Sequence, residues 1–185
     1  MPGPAAALLG AVLLGALNTL GDFVWARFGL EHRAVFGLVH GTVLLLALGL
    51  YLGVVRGRAM SGAAGGALVG LLAAASFYAL APFLGYSAMF ASWMALWMGF
   101  ALLDGRLRGG VPGREVLWRG LLAAFGSGLA FWAISGIWTT PRPGGPRYLH
   151  NFLCWTVAFL PGFAALLLRN PPAQASASPP ARTGS

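Results

Sequence analysis

Six long apolar runs, bounded by arginine, proline or glycine, most limit the folds open to this chain. They cover about residues 5–28, 34–55, 63–84, 86–103, 116–138 and 151–168. The hydrocarbon core of a bilayer takes about 20 helical residues to cross, and within it each segment must satisfy its own backbone polar groups. Runs of this length predict an all-α, polytopic transmembrane bundle of six spans. Composition agrees: 58% of the 185 residues are hydrophobic and 9% charged, with a mean hydropathy of +0.75. An ordinary soluble domain carries about 25% charged residues. A chain this apolar has too little polar surface to cover itself in water. One bundle accounts for residues 1–168, so a single transmembrane domain is expected there.

The junction of the third and fourth runs is the least marked, because some 40 residues pass without a charge. Pro82 and Gly85 supply a turn between two spans at that point. The N-terminal stretch has no basic residue ahead of its apolar run, and the run outlasts a signal-peptide core. It is expected to be a retained first span. Residues 169–185 are rich in Pro, Ala and Ser with no apolar period, and are expected to form a disordered cytoplasmic tail.

Orientation follows from the arginines, which make up all 12 basic residues. Arg56, Arg58, Arg106, Arg108, Arg114, Arg169 and Arg182 fall on one side of six spans, with Arg119 just inside it. Arg27, Arg33, Arg142 and Arg147 fall on the other. Basic loops stay in the cytoplasm, so the first side, with both termini, is read as cytoplasmic. A multi-pass protein of a bacterial inner membrane is expected. The net charge of +8 is spread over span ends, where it meets lipid headgroups, and no nucleic-acid partner is expected.

Several chemistries are excluded by residues the chain lacks. Cys154 is the single cysteine, so no internal disulfide and no paired-cysteine redox or zinc motif exists. No HExxH or GxSxG pattern occurs, and without lysine there is no phosphate-binding loop of the Walker type. A pair of carboxylates for aspartyl chemistry would need a second buried acid beside Asp22. Glu31, Asp104 and Glu115 are all read as span-end residues. Haem held by His40 with His32 or His150, or a metal held by Asp22, His40 and His150, is permitted by residue type alone. Both are left open, and the cofactor is unassigned.

Lipid supplies no hydrophobic drive between helices, so close backbone approach must hold the bundle together. Gly62, Gly66, Gly70 and Ala74 recur at four-residue spacing on the third run. Gly120, Ala124, Gly128 and Gly136 do so on the fifth, and Gly37 and Gly41 on the second. These rows predict flat faces for tight helix contact. On the fourth run Tyr86, Phe90, Trp93, Trp97 and Phe100 share one helical stripe. Packing, or contact with lipid, accounts for such a stripe, and so does a wall for a flat or long apolar ligand. Trp93 and Trp97 lie deep and carry N–H groups that need partners.

An ionisable residue inside a span is costly and marks the bundle interior. Asp22 and His40 sit about six residues from the outer end of the first hairpin, roughly 9 Å deep at 1.5 Å per residue. Equal depth on neighbouring helices predicts an Asp22–His40 contact, with Asn18 one turn deeper. Arg142, Arg147, His150 and Asn151 gather at the same outer level. The opposite half of the bundle is expected to hold nothing comparable beyond Arg119, which snorkels.

The leading expectation is a protein that binds or transports an amphipathic small molecule: a lipid, isoprenoid, quinone or pigment. Its outward-facing pocket would be formed by Asp22, His40 and Asn18, with Arg142 and His150 at the mouth and Trp93 and Trp97 as an apolar wall. One alternative is a membrane enzyme acting on a lipid-like substrate, with His40 as base oriented by Asp22. Another is a non-catalytic subunit of a membrane complex. The expected partners are membrane lipids and such a ligand, with a homodimer or a partner membrane subunit also open.

Overall fold

The computed structural model describes residues 3–28, 32–110, 113–135 and 148–167. Among the described residues six long helices run in chain order: α1 (Pro4–Phe28), α2 (Arg33–Val55), α3 (Ala59–Leu84), α4 (Ala88–Leu107), α5 (Arg114–Ser135) and α6 (Tyr148–Leu167). No strand occurs among the described residues. By length and hydropathy these helices make five stretches able to cross a membrane, the third being Ala59–Leu107. That stretch is α3 and α4 joined by a single 3-10 turn at Gly85–Ser87. It doubles back on itself. Gly65 faces Leu103, Gly99 faces Val69, and the Ser92 hydroxyl donates to the Ala73 carbonyl at 2.9 Å.

The reversal is built on Gly85. Its backbone sits at φ 56°, ψ −135°, a region that side-chain-bearing residues avoid. Pro82 was the other expected turn signal, yet α3 runs through it to Leu84. A proline costs the helix one N–H bond and crowds one carbonyl, which is tolerable in an exposed last turn.

The helices pack in a ring ordered α2, α3, α4, α5, α6, α1, and all but one neighbouring pair share a long seam. Contact between α2 and α3 is the most extensive. A Cβ added at Gly49 would stand 2.6 Å from the Cα of Gly66, and one at Gly53 would stand 2.9 Å from the Cα of Gly62. Gly41 meets Gly70 and Ala74 further along. Only glycine allows backbones this close, and the gain is van der Waals contact along the whole seam. Gly120 and Gly128 of α5 likewise admit Met98 and Phe90 of α4. Gly136 lies outside the described residues. The exception in the ring is α1 against α2: they follow one another in the chain but meet lightly.

The core follows the same logic. Trp97, Phe100, Phe159 and Phe163 are fully buried between α4 and α6, and a side chain at Gly162 would run into the Trp97 ring. The outer surface is apolar instead of polar: Val35, Leu122, Phe125 and Leu149 are each at least 61% exposed. That surface suits lipid and does not suit water.

One expectation is overturned at the end of the bundle that carries the α2–α3 connection. Asp104 is 4% exposed. Its carboxylate takes Arg56 Nε at 2.9 Å and Arg108 one turn on. Arg108 also donates to the Leu166 carbonyl of α6 at 3.4 Å, and Arg58 to the Arg106 carbonyl at 3.3 Å. This half of the bundle thus holds a buried ion cluster and not only Arg119, which pairs with Glu115 at 2.7 Å. Position at a run's end concealed it, because α4 continues past the apolar run until Asp104 meets its cations.

Candidate functional site

Near the opposite end, all six helices contribute to one cavity of about 330 Å³. Its polar groups come from five places: Asn18 and Asp22 on α1, His40 on α2, Tyr78 on α3, Tyr86 in the turn before α4, and Ser92 on α4. Aromatic rings make up much of the remaining wall, among them Phe36, Phe77, Trp93, Phe131, Trp155 and Phe159. A few convergent polar groups in an otherwise apolar concavity is the usual composition of a small-molecule site.

Asp22 is the charged residue of this wall, and α6 holds it. Asn151 Nδ2 and Trp155 Nε1 both donate to Oδ2 at 3.0 Å. Asn151 and Trp155 are four residues apart, so one face of α6 presents both donors to α1. Oδ1 has no donor among the described residues and remains able to accept one. The Trp155 ring is fixed in turn by stacking on Phe131 at 4.9 Å and on Phe159 at 6.1 Å. Two donors on one oxygen and a locked indole set the direction of the carboxylate before any ligand arrives.

The partner expected for Asp22 was His40, and the two are within electrostatic reach of each other. The two share the cavity wall, yet the hydrogen bonds to Asp22 come from α6. His40 lies parallel to Phe36, with ring centres 5.8 Å apart. It presses on Gly21, where any side chain would occupy the imidazole's space. Gly37 makes room for the Tyr78 phenol in the same way. The glycines beside these two positions therefore admit a ring that a larger residue would exclude.

The remaining expected site residues divide. Asn18 lines the cavity, with its amide donating back to the Leu14 carbonyl at 3.1 Å. Trp93 lines it as well, 4% exposed and edge-on to Phe159 at 5.2 Å. Trp97 does not: it lies wholly buried beyond the cavity, edge-on to Phe163 at 5.6 Å. His150 stands in the first turn of α6 with Nε2 3.3 Å from Cys154 Sγ, and it forms no part of the wall. Arg142, Arg147, Glu31 and Gly136 lie outside the described residues. Among the described residues no three His, Cys, Asp or Glu side chains gather as a metal site would require.

Sequence reasoning missed Tyr78 and Trp155. Tyr78 sits in an apolar run and marks itself only by its hydroxyl. Trp155 and Asn151 show their four-residue spacing, but nothing in the chain links them to a carboxylate about 130 positions earlier. Comparison with protein-family models, curated proteins and solved structures gives no match for this chain.

Proposed function

We propose that this chain is a multi-pass inner-membrane protein that binds or transports an amphipathic small molecule in the six-helix cavity. The ligand class is a lipid, isoprenoid, quinone or pigment. The observation that carries this reading is the Asp22 carboxylate. It is held by two donors from α6 within an apolar bundle and borders a cavity otherwise walled largely by rings. Burying a carboxylate away from water is costly. Packing alone gives no return for that cost, whereas a ligand's polar head can use the free acceptor.

The same reading takes the chain across the bilayer six times. At 1.5 Å per residue, α3 and α4 are about 39 and 30 Å long, each sufficient for a hydrocarbon core of about 30 Å. Arg56, Arg58, Arg106 and Arg108 belong to the end marked by Asp104, and the positive-inside rule assigns that end to the cytoplasm. The cavity then faces outward, near the α1–α2 connection, and both chain termini are cytoplasmic.

An enzymatic reading would have His40 act as a base oriented by Asp22. The hydrogen bonds to the carboxylate come from α6 and not from His40, and this favours the binding reading. Mass spectrometry of the gently extracted protein decides the proposal. We expect an amphiphile retained in stoichiometric amount by the wild type and lost from the Asp22→Asn, His40→Ala double variant. Equal retention by both, or no retained molecule together with a stably co-purifying membrane subunit, would overturn it.

A further inference from the structure

The light contact between α1 and α2 leaves a crevice of about 310 Å³ on the outer surface of the bundle. Leu17, Leu20 and Val24 line it from α1, and Val39, Val43 and Ala47 from α2. Leu20, Val39 and Val43 are each at least 56% exposed, so the crevice is open to the surrounding lipid. At its floor are Gly21, Phe36, His40 and Leu44, and these four residues also belong to the wall of the inner cavity. The two spaces therefore adjoin at the point where His40 rests on Gly21.

We infer that this crevice is the hydrocarbon-chain subsite of the cavity ligand, which enters sideways from the bilayer between α1 and α2 and carries an uncharged hydroxyl or a cationic amine head. The inference rests on the ligand-binding reading above and specifies its substrate class. From Leu17 to Val24 the crevice runs roughly 10 Å along α1, the reach of part of an extended alkyl or isoprenyl chain. Its sides offer only apolar contact, while an imidazole lies at its floor. A partner helix packed into the seam would leave that imidazole against hydrocarbon. A chain that changes to a polar head at this depth would not.

Head chemistry follows from the wall beyond the neck. Asp22 brings a negative charge with an unused acceptor oxygen, Tyr78 and Tyr86 add phenols, and no arginine of the described residues lines the space. An anionic head would be repelled by Asp22, and among the described residues only His40 of the wall could offset that charge. A hydroxyl or ammonium donates to Asp22.

Photolabelling in phosphatidylcholine vesicles tests this with hexadecanol and hexadecylamine, each bearing a diazirine at mid-chain, within the roughly 10 Å that the crevice spans. We expect saturable labelling, competed by the unlabelled amphiphile and confined to the segments Leu17–Val24 and Val39–Ala47. Hexadecanoate with the same diazirine should label about tenfold less. Leu20→Trp and Val43→Trp, made separately at exposed positions that fill the crevice from outside, should each lower saturable labelling about tenfold. Saturable labelling lost in Asp22→Asn but unchanged by both tryptophans, and mapping elsewhere, overturns the chain subsite while leaving the ligand cavity standing. Labelling that is unsaturable, or indifferent to Asp22→Asn, reflects bulk lipid contact and overturns both. Preference for hexadecanoate overturns the head assignment.

Discussion

At the scale of single residues, the Asp22 acceptor is a shared product of three side chains. Trp155→Phe keeps the ring that stacks on Phe131 and deletes only the N–H that reaches Asp22. A hydrogen bond to a charged group contributes about 1.5–3 kcal/mol, so this change should lower unfolding stability in detergent by about that amount. In an Asp22→Asn background the charge is gone, and the same substitution should cost less than half as much. A double-mutant cycle reads the coupling directly, and zero coupling would show that the indole acts through packing alone. Asp22, Asn18, His40 and Trp93 were legible as residues of a shared cavity wall because a polar or outsized side chain within an apolar run must face a partner or a cavity to offset its cost. The bonding between them was not. Depth along a hairpin places Asp22 and His40 at one level, but which neighbour reaches the carboxylate depends on how α6 closes the ring against α1. That pairing is long-range and leaves no local spacing to read. Trp97 shares the stripe of Trp93 one turn away, yet its ring packs on Gly162 of α6 and lies outside the cavity wall.

At the scale of elements, small-residue rows predicted contact faces well because the requirement is purely steric. Gly62, Gly66 and Gly70 are the residues by which α3 meets α2. Their counterparts Gly49 and Gly53 on α2 are harder to see, since the leucines around them hide the four-residue repeat. Gly66→Leu should drive a side chain into the Gly49 backbone, where nothing flexible can give way. The expected loss is at least the roughly 1–3 kcal/mol typical of overpacking, read as a lower thermal midpoint. Leu68→Ala, on the exposed face of the same helix, should stay within about 0.5 kcal/mol, as for changes away from packed features. Equal losses for the two would mean that α3 is not held by its glycine face. The α1–α2 pair forms the opposite kind of seam. Its facing residues are mostly Val, Leu and Ala with no matching glycine row, and Gly21 is met by the His40 ring, so the backbones stay apart and the crevice remains.

At the scale of the whole molecule, the two ends of the bundle use charge differently. Near the cavity, one carboxylate faces neutral donors and, among the described residues, retains an unused oxygen. At the far end, Asp104 is neutralised by Arg56 and Arg108, which tie α2 to α4 and, through the Leu166 carbonyl, to α6. Breaking a buried ion pair from one side costs about 3–5 kcal/mol. Here the Arg108 side chain is 39% exposed and Arg56 18%, so solvent screens much of that loss. Asp104→Asn should therefore destabilise the bundle by about 1–3 kcal/mol without altering ligand retention at the other end. A change in retention would mean that the two ends are coupled. The same asymmetry sets orientation. In a Cys154→Ala background, which removes the single thiol, a cysteine at Arg33 should react with an impermeant maleimide on right-side-out vesicles. One at Arg58 should react only once the vesicles are inverted. Both residues are exposed, so reagent access differs by membrane side and not by burial. Labelling of both from one side would remove the crossing made by α2 and, with it, the outward placement of the cavity. Labelling in the reverse order would keep every helix in place and turn the cavity toward the cytoplasm, making the ligand one delivered from inside the cell.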